Sequence, residues 1–126
     1  MTDFSDARAI VGSGMRAQAA RLRHVSENIA NADTPGYRRK TISFEAVRNT
    51  GVVRVGRMQL DRAPLPQIYD PGHQLADERG YYEGSNVNLL MEVTDAREAQ
   101  RSYEANLKMF DQIRQMNQGL LDLLRK

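Results

Sequence analysis

The chain contains no cysteine and no tryptophan, and only three phenylalanines and five tyrosines. The absence of cysteine excludes disulfides and thiolate metal sites. No segment approaches the ~20 apolar residues that a membrane-spanning helix needs. The first residues include Asp3 and Asp6 where a cleaved signal peptide would have its apolar run, so we expect no cleaved signal. The 126 residues therefore predict one domain with a small hydrophobic core.

Residues that support catalysis or bind metal ions are also sparse. His24 has no metal-ligating companion four residues later, whereas His73 has Asp70 and Asp77 nearby. In this turn-rich segment, structural hydrogen bonding is the favoured interpretation of His73. We predict no catalytic, cofactor or metal site and no small-molecule substrate. A small hydrolase that uses His73 stays an alternative, which would need a concave pocket.

Charge is unevenly distributed along the chain. Residues 1–63 carry 11 basic and 6 acidic side chains, whereas residues 64–126 carry 7 and 10. Opposite net charges on the two halves favour their pairing, within one chain or between neighbours. Solvated faces without any partner are an equally open interpretation.

The basic cluster at residues 38–40 raises the question of nucleic-acid binding. Three cations without interleaved aromatic residues are a weak signal for it. We expect these cations to pair with acidic residues such as Glu92, Glu98 or Glu104, and we predict no nucleic-acid partner. A basic nucleic-acid-binding adaptor is the alternative from another functional class, and its binding would weaken with salt.

The first part of the chain predicts an amphipathic helix. Apolar residues recur at steps of three and four from Phe4 to Ile29, interrupted by the polar Gln18. Gly12 and Gly14 weaken this helix by roughly 1 kcal/mol each relative to alanine, so it needs a partner. Pro35 prevents its continuation, and Gly36 accepts the positive φ of the second central position in a type II turn.

The middle of the chain has the composition of a small β-rich insertion. Ile42, Phe44 and Ala46 alternate with polar residues, which predicts a half-buried strand. Asn49-Thr50-Gly51 predicts a turn, and the run 52–55 predicts a second strand. Further prolines and glycines between residues 64 and 80 predict extended loops and turns rather than long strands.

From Asn88 onward the pattern predicts one long helix, with Asn86 or Asn88 as its N-cap. Steps of three and four define a heptad seam of about four repeats. The seam comprises Ala96, Ala99, Tyr103, Asn106, Phe110, Ile113, Asn117, Leu120 and Leu124. A helix over residues 88–124 would be ~55 Å long, so we expect it to pair with the first helix and with neighbouring subunits. Asn106 and Asn117 either fix the register of that pairing or face solvent or a channel lumen.

We therefore predict a mainly α fold with two long terminal helices that pair as a coiled coil. Residues 1–34 plus 86–126 are expected to form this discontinuous helical domain. Residues 35–85 are expected to form the small β-rich hairpin and loop insertion between the helices.

Two polar signatures resemble those of the axial proteins of the bacterial flagellum, the rod, hook and hook-associated proteins. Ala30–Tyr37 reads Ala-Asn-Ala-Asp-Thr-Pro-Gly-Tyr, and Ser102–Leu107 reads Ser-Tyr-Glu-Ala-Asn-Leu. The middle narrows the resemblance: Asp70–Asp77, Gly80-Tyr81 and Asn86-Val87-Asn88 are similar to the FlgC-type proximal rod protein. Gln74 and Ser85 stand where that family usually has proline. The FlgB-type sister subunit, which usually lacks these middle motifs, is the nearest alternative.

The resemblance implies a non-enzymatic subunit of the flagellar proximal rod that assembles through its terminal helices. It also implies export through the flagellar type III apparatus without cleavage and residence in the periplasmic rod of the basal body. The implied partners are copies of the chain, other rod proteins, the rod–membrane-ring junction and the export apparatus.

The expected assembly residues fall into two groups. The first group surrounds the end of the first helix, where Asn28 and Asn31 either cap locally or bond neighbouring subunits. Its members are Asn28, Asn31, Thr34, Pro35, Gly36 and Tyr37. The second group lies on the seam of the last helix and comprises Tyr103, Asn106, Phe110, Ile113, Asn117, Leu120 and Leu124.

Overall fold

A computed structural model describes residues 2–125, in which two long helices pack against each other. Helix α1 spans Thr2–Ala30, and helix α2 spans Leu89–Arg125. Asn28 contacts Glu92, and Gly14 lies against Asn106, so the two helices run antiparallel. None of the described helices combines the length and apolarity that crossing a membrane requires. The prediction of two paired terminal helices is confirmed, and their supercoiling stays a prediction.

Small side chains lie where the two helices approach most closely. Ala17 is 1% exposed and Ala99 is 0% exposed, and Val11 and Val25 complete the buried apolar residues. Short side chains let the backbones approach, which large apolar side chains would prevent. The core is therefore a narrow stripe between two helices, as expected from the composition.

The seam predicted on α2 faces α1 over most of its length. Ala96, Tyr103, Asn106, Phe110, Ile113 and Asn117 are half-buried, whereas Leu120 is 41% and Leu124 is 81% exposed. The last two leucines of the seam are thus left uncovered by α1 in the single chain, and their expected contact with neighbouring subunits stays a prediction. Phe4 and Arg8, near the start of α1, lie beside Asn117 and Leu120. The last turn of α2 therefore extends beyond Thr2, where α1 begins.

Three two-stranded antiparallel sheets lie between the helices. Their strands are β1 (Lys40–Thr41), β2 (Phe44–Ala46), β3 (Val53–Val55), β4 (Gln59–Leu60), β5 (Gln67–Tyr69) and β6 (Tyr81–Glu83). β1 pairs with β4, β2 with β3, and β5 with β6. The insertion thus contains two short hairpins, β2–β3 and β5–β6, as predicted, and the β1–β4 pair encloses the first of them, without one continuous sheet among the described strands.

The strand predicted from the alternation at residues 42–46 is present as β2 over Phe44–Ala46, but its predicted start at Ile42 and its predicted half-burial are wrong. Ile42 lies outside a strand, and every residue of β2 is exposed. Burial here depends on contact with α1, and it is β3 that makes this contact: the Ser13 hydroxyl of α1 accepts a hydrogen bond from the Val53 backbone N–H at 2.9 Å. The predicted turn at residues 49–51 joins β2 to β3, with φ of 62° at Asn49 and 73° at Gly51.

Candidate functional site

The end of α1 is organised around Asn28, a side chain with no exposed surface. Its Nδ2 donates to the Lys40 backbone oxygen at 3.0 Å and to the Glu92 carboxylate at 3.3 Å. Its Oδ1 accepts from the Tyr37 hydroxyl and from the Lys40 backbone N–H, each at 2.9 Å. All four bonds are made within the chain, so Asn28 joins α1, the following turn, β1 and α2. A buried amide with its bonds made in this way specifies one arrangement of those elements.

Glu92 is the second fully buried polar side chain at this end, and it faces Arg39. The Arg39 guanidinium also lies 3.2 Å from the Asp95 carboxylate and 3.8 Å from that of Asp61. Burial lowers the pKa of Arg39, but the hydrogen bond and charge of Glu92 outweigh it, so that pKa is raised overall. The guanidinium therefore stays charged, and its ion pairs with Glu92 and Asp95 join the insertion to the start of α2.

Two further cations of the first half also form ion pairs within the chain. Arg21 lies 3.4 Å from both Asp95 and Glu98, and Lys40 lies 2.6 Å from Glu27. The expected partner Glu104 instead accepts a hydrogen bond from Gln100 at 3.4 Å. Opposite charge on the two halves thus contributes to joining α1 and the insertion to α2.

The segment Thr34–Tyr37 forms the predicted tight turn after α1. The Tyr37 N–H donates to the Thr34 oxygen at 3.2 Å, and Gly36 has a φ of 74°. The Tyr37 ring is half-buried, and burial raises the pKa of its hydroxyl, which remains the donor to Asn28. Pro35 is half-buried and Thr34 is exposed, with its hydroxyl 3.1 Å from the Asn31 side chain. Asn31 itself caps locally, donating to the Glu27 oxygen at 2.8 Å.

We expect Gly36→Val to lower rod incorporation more than Gly36→Ala at matched expression. No heavy atom outside its neighbours lies within 4 Å of a β-carbon at Gly36, so the difference must come from backbone strain at positive φ. That strain is greatest for a β-branched residue. The measurement is the amount of each variant in purified basal bodies. Wild-type incorporation of Gly36→Val would contradict this account of the turn.

The turn after α1 meets the segment that leads into α2. The Gly36 N–H donates to the Glu83 oxygen at 3.1 Å, and the Ser85 hydroxyl donates to the Ala32 oxygen. Asn86 Oδ1 accepts from the Arg39 N–H at 2.6 Å. Asn88, rather than Asn86, caps α2, because its Oδ1 accepts from the N–H groups of residues 90 and 91 at 3.1 and 3.3 Å. The two asparagines of the Asn-Val-Asn motif therefore have separate structural tasks.

Asn106 of the C-terminal signature lies over Gly14 of α1. A β-carbon built at Gly14 would come within 3.1 Å of the Asn106 amide nitrogen, so glycine provides the space for this amide. Tyr103 and Phe110 lie on either side and line a groove with Gly12 and Met15. The first signature therefore lies at the end of α1, against the segment that leads into α2, and the second lies within α2, where Asn106 contacts the middle of α1.

The remaining predicted seam residues lie toward the chain ends. Ile113 and Asn117 are half-buried, and Asn117 lines a groove with Leu120 and Leu124. The structure therefore brings Tyr103–Asn117 together with α1 and leaves the final leucines open. Whether any of the predicted residues contacts another subunit stays a prediction.

His73 has a structural environment. Its ring stacks on Tyr82 with 3.8 Å between ring centroids and 10° between planes, and its Nδ1 accepts the Leu75 N–H at 3.1 Å. Asp77 accepts the N–H groups of Arg79 and Tyr81, and the bond from Tyr81 holds the pKa of its carboxyl below the usual value. Within residues 2–125, no group of three metal-ligating side chains is assembled.

Sequence reasoning missed the burial of Glu92 and the roles of Ser13 and Ser85. A signal for Glu92 was present, because it lies four residues before Ala96 and so continues the seam toward the start of α2. A carboxylate on a buried seam requires a buried cation. For the two serines no comparable pattern exists, since their partners are backbone groups of distant segments.

Comparison with known proteins matches both ends of the chain to flagellar families. Residues 10–38 match the family described as flagella basal body rod protein, and residues 78–123 match the flagellar basal body rod FlgEFG protein C-terminal family. These ranges contain Asn28 with its partners Tyr37 and Glu92, and both signatures.

Several relatives align over most of their length. The flagellar basal-body rod protein FlgC of Agrobacterium fabrum is 46% identical over 99% of this chain and 98% of its own length. The FlgC protein of Aquifex aeolicus is 40% identical over 87% and 89%, and that of Salmonella typhimurium is 34% identical over 85% and 87%. The FlgB-type alternative is not favoured by these matches. The chain therefore belongs to the FlgC-type flagellar basal-body rod proteins and is a structural subunit of the rod.

Proposed function

We propose that the chain assembles into the rod through the ends of its two helices, without catalysing a reaction. The observation that carries this proposal is the uncovered apolar end of α2. Leu120, Leu121, Leu123 and Leu124 are 41%, 43%, 66% and 81% exposed. Together with Phe4 they line a groove of about 760 Å³. An exposed apolar patch of this kind at the end of a paired seam is typical of a protein interface.

The non-enzymatic part of the proposal is supported by what the polar clusters do. The buried polar side chains of Asn28 and Glu92 form their hydrogen bonds with neighbouring segments of the chain. The His73 ring stacks on Tyr82, and its Nδ1 accepts a backbone N–H. The relatives are named as rod proteins, and no catalytic family is indicated.

The proposed partners and location extend the rod assignment. We propose that copies of the chain and other rod proteins contact the seam residues and the Thr34–Tyr37 turn. Further proposed contacts are the rod–membrane-ring junction and, before assembly, the type III export apparatus, which would pass the chain to the periplasmic rod without cleavage. The assembled helices would form the wall of a drive shaft that leaves a channel for later subunits.

We also propose a division of labour within the chain. Residues 1–34 plus 86–126 would form the helical unit that builds the wall, and residues 35–85 would form an insertion held at a fixed angle to it. Support comes from Arg39 of the insertion, which is paired with Glu92 of α2, and from Val53 of β3, which is bonded to Ser13 of α1.

A basic nucleic-acid adaptor has little support as a second function. In the 38–40 cluster, Arg39 and Lys40 are paired with carboxylates of the same chain. The guanidinium of Arg38 donates to the backbone oxygens of Asp61 and Ala63 at 3.2 and 3.0 Å.

Leu124→Asp tests the proposed assembly surface. At 81% exposure the substitution should change the free energy of unfolding by less than about 0.5 kcal/mol. In a docked subunit it would bury an unpaired carboxylate, which is strongly unfavourable. We therefore expect loss of rod incorporation and of swimming in soft agar, and the same for Leu120→Asp.

Gln112→Asp is the matched control, because it adds the same charge on an exposed position of α2. It should leave motility unchanged. A motile strain that carries Leu124→Asp at normal rod abundance would show that the leucine end is not an assembly contact.

A further inference from the structure

A groove of about 670 Å³ lies beside β4 and is basic. Arg38, Arg57 and Arg62 line it around Met58 and Leu60, which are 40% and 50% exposed. Arg57 and Arg62 are exposed, and neither has an ion-pair partner among residues 2–125. The groove therefore combines uncompensated positive charge with exposed apolar surface.

The hairpin of β5 and β6 combines the opposite charge with exposed apolar surface. Residues 70–83 carry four acidic side chains and one basic side chain, whereas residues 38–62 carry seven basic and two acidic ones. Glu78 and Glu83 are exposed, and Leu75 beside them in sequence is 63% exposed. Asp77, Glu83 and Leu75 line a second groove of about 640 Å³.

The two oppositely charged segments do not neutralise each other within one subunit. In the described part of the chain, the cations of residues 38–62 that form ion pairs do so with Glu27, Glu45, Asp61, Glu92 and Asp95. The single ion pair of residues 70–83 joins Arg79 to Asp77 at 3.7 Å. Each patch therefore presents solvent-exposed charge that is available to a neighbouring molecule.

We propose that the basic groove beside β4 is a docking site for the acidic segment 70–83 of a second copy of this chain. The inference rests on the proposed assembly function and deepens it. Two different patches on one molecule make a heterologous contact, which repeats from subunit to subunit instead of closing on itself as a symmetric dimer does. Charge complementarity of this kind sets the register and the partner more than it adds affinity. The insertions would therefore select which neighbour the helices meet.

Charge reversal with mixing tests the proposal on the full-length protein. One variant reverses the groove (Arg57→Glu with Arg62→Glu), and the other reverses the acidic segment (Glu78→Arg with Glu83→Arg). We expect the wild-type protein to self-associate at about 0.05 M salt and to dissociate at about 0.5 M. Each variant alone should associate at least about tenfold more weakly than the wild type, because its groove and its 70–83 segment then carry charge of the same sign.

An equimolar mixture of the two variants should regain association, because each groove then meets a segment of opposite charge. This regain also shows that neither variant has simply failed to fold. A control with Arg97→Glu and Arg101→Glu changes net charge as much as the groove variant does, at exposed positions of α2 outside both patches, and should associate like the wild type.

Three results would overturn the proposal. They are a wild-type protein that stays monomeric at low salt, a mixture that does not regain association, and wild-type binding of a short DNA duplex that is lost on groove reversal. The last result would assign the groove to nucleic acid. The proposed assembly through α2 is judged separately, by rod incorporation of Leu124→Asp, so either idea can fail alone.

Discussion

Glu92→Ala is expected to lower the free energy of unfolding by about 3 kcal/mol, the lower end of the range for breaking a buried ion pair. The substitution removes the fully buried carboxylate that faces Arg39 and accepts from Asn28. Arg39 would keep Asp95 at 3.2 Å, and its side chain is 22% exposed, which limits the loss. Urea unfolding of the purified protein measures the effect.

Two comparisons make the Glu92 prediction specific. Glu98→Ala removes a carboxylate that is 65% exposed and 3.4 Å from Arg21, and should cost at most about 0.5 kcal/mol. The double variant Glu92→Leu with Arg39→Met removes both charges and should recover much of the stability, because no charge is left buried alone. If Glu92→Ala were as stable as Glu98→Ala, the pair would not hold the insertion to α2.

The helix pair could be predicted from the sequence because its signal is periodic. Steps of three and four identified α1 and α2, and the seam from Ala96 to Asn117 is the face that meets α1. Pro35 predicted the turn because proline cannot continue a helix, and Gly36 has the expected positive φ. These features depend on neighbours in sequence, so one chain is enough to recognise them.

The depth of burial was harder to predict, because close helix packing favours small and polar residues over large apolar ones. Ala17, Ala99 and Asn28 are among the least exposed side chains, whereas Leu124 is 81% exposed. A pattern of large apolar residues finds the general face but not the point of closest approach.

The insertion could be predicted only in outline. Its strands are two or three residues long, so neither alternation nor propensity has enough residues to be decisive. Phe44 lies in the outer strand β2, while the neighbouring β3 contacts α1, and no local signal separates the two. At the border of the insertion, the prediction that Asn86 or Asn88 caps α2 is confirmed for Asn88, whereas the predicted contact of Asn28 with a neighbouring subunit stays a prediction.

Asn28→Ala is expected to destabilise the chain by about 3 kcal/mol, since several polar groups at a buried site would lose their partners together. The Tyr37 hydroxyl and both backbone groups of Lys40 are bonded to this amide. Relaxation cannot easily replace them, because the amide is fully buried between α1 and α2. Asn31→Ala is the matched control: that half-buried amide makes a local bond to Glu27, so we expect about 1 kcal/mol or less.

Asn28→Asp distinguishes hydrogen bonding from simple volume. Aspartate keeps the acceptor oxygens for Tyr37 and Lys40, but it cannot donate to the Lys40 oxygen and would place a second carboxylate beside Glu92. We therefore expect Asn28→Asp to be at least as destabilised as Asn28→Ala near neutral pH, although its shape is nearly unchanged. The free energy of unfolding, measured in urea, and the amount of protein in the rod should both be lower in Asn28→Ala and Asn28→Asp than in the wild type. An Asn28→Asp protein with wild-type stability would mean that the donated bonds do not hold this junction, because the replacement removes only those bonds and adds a charge.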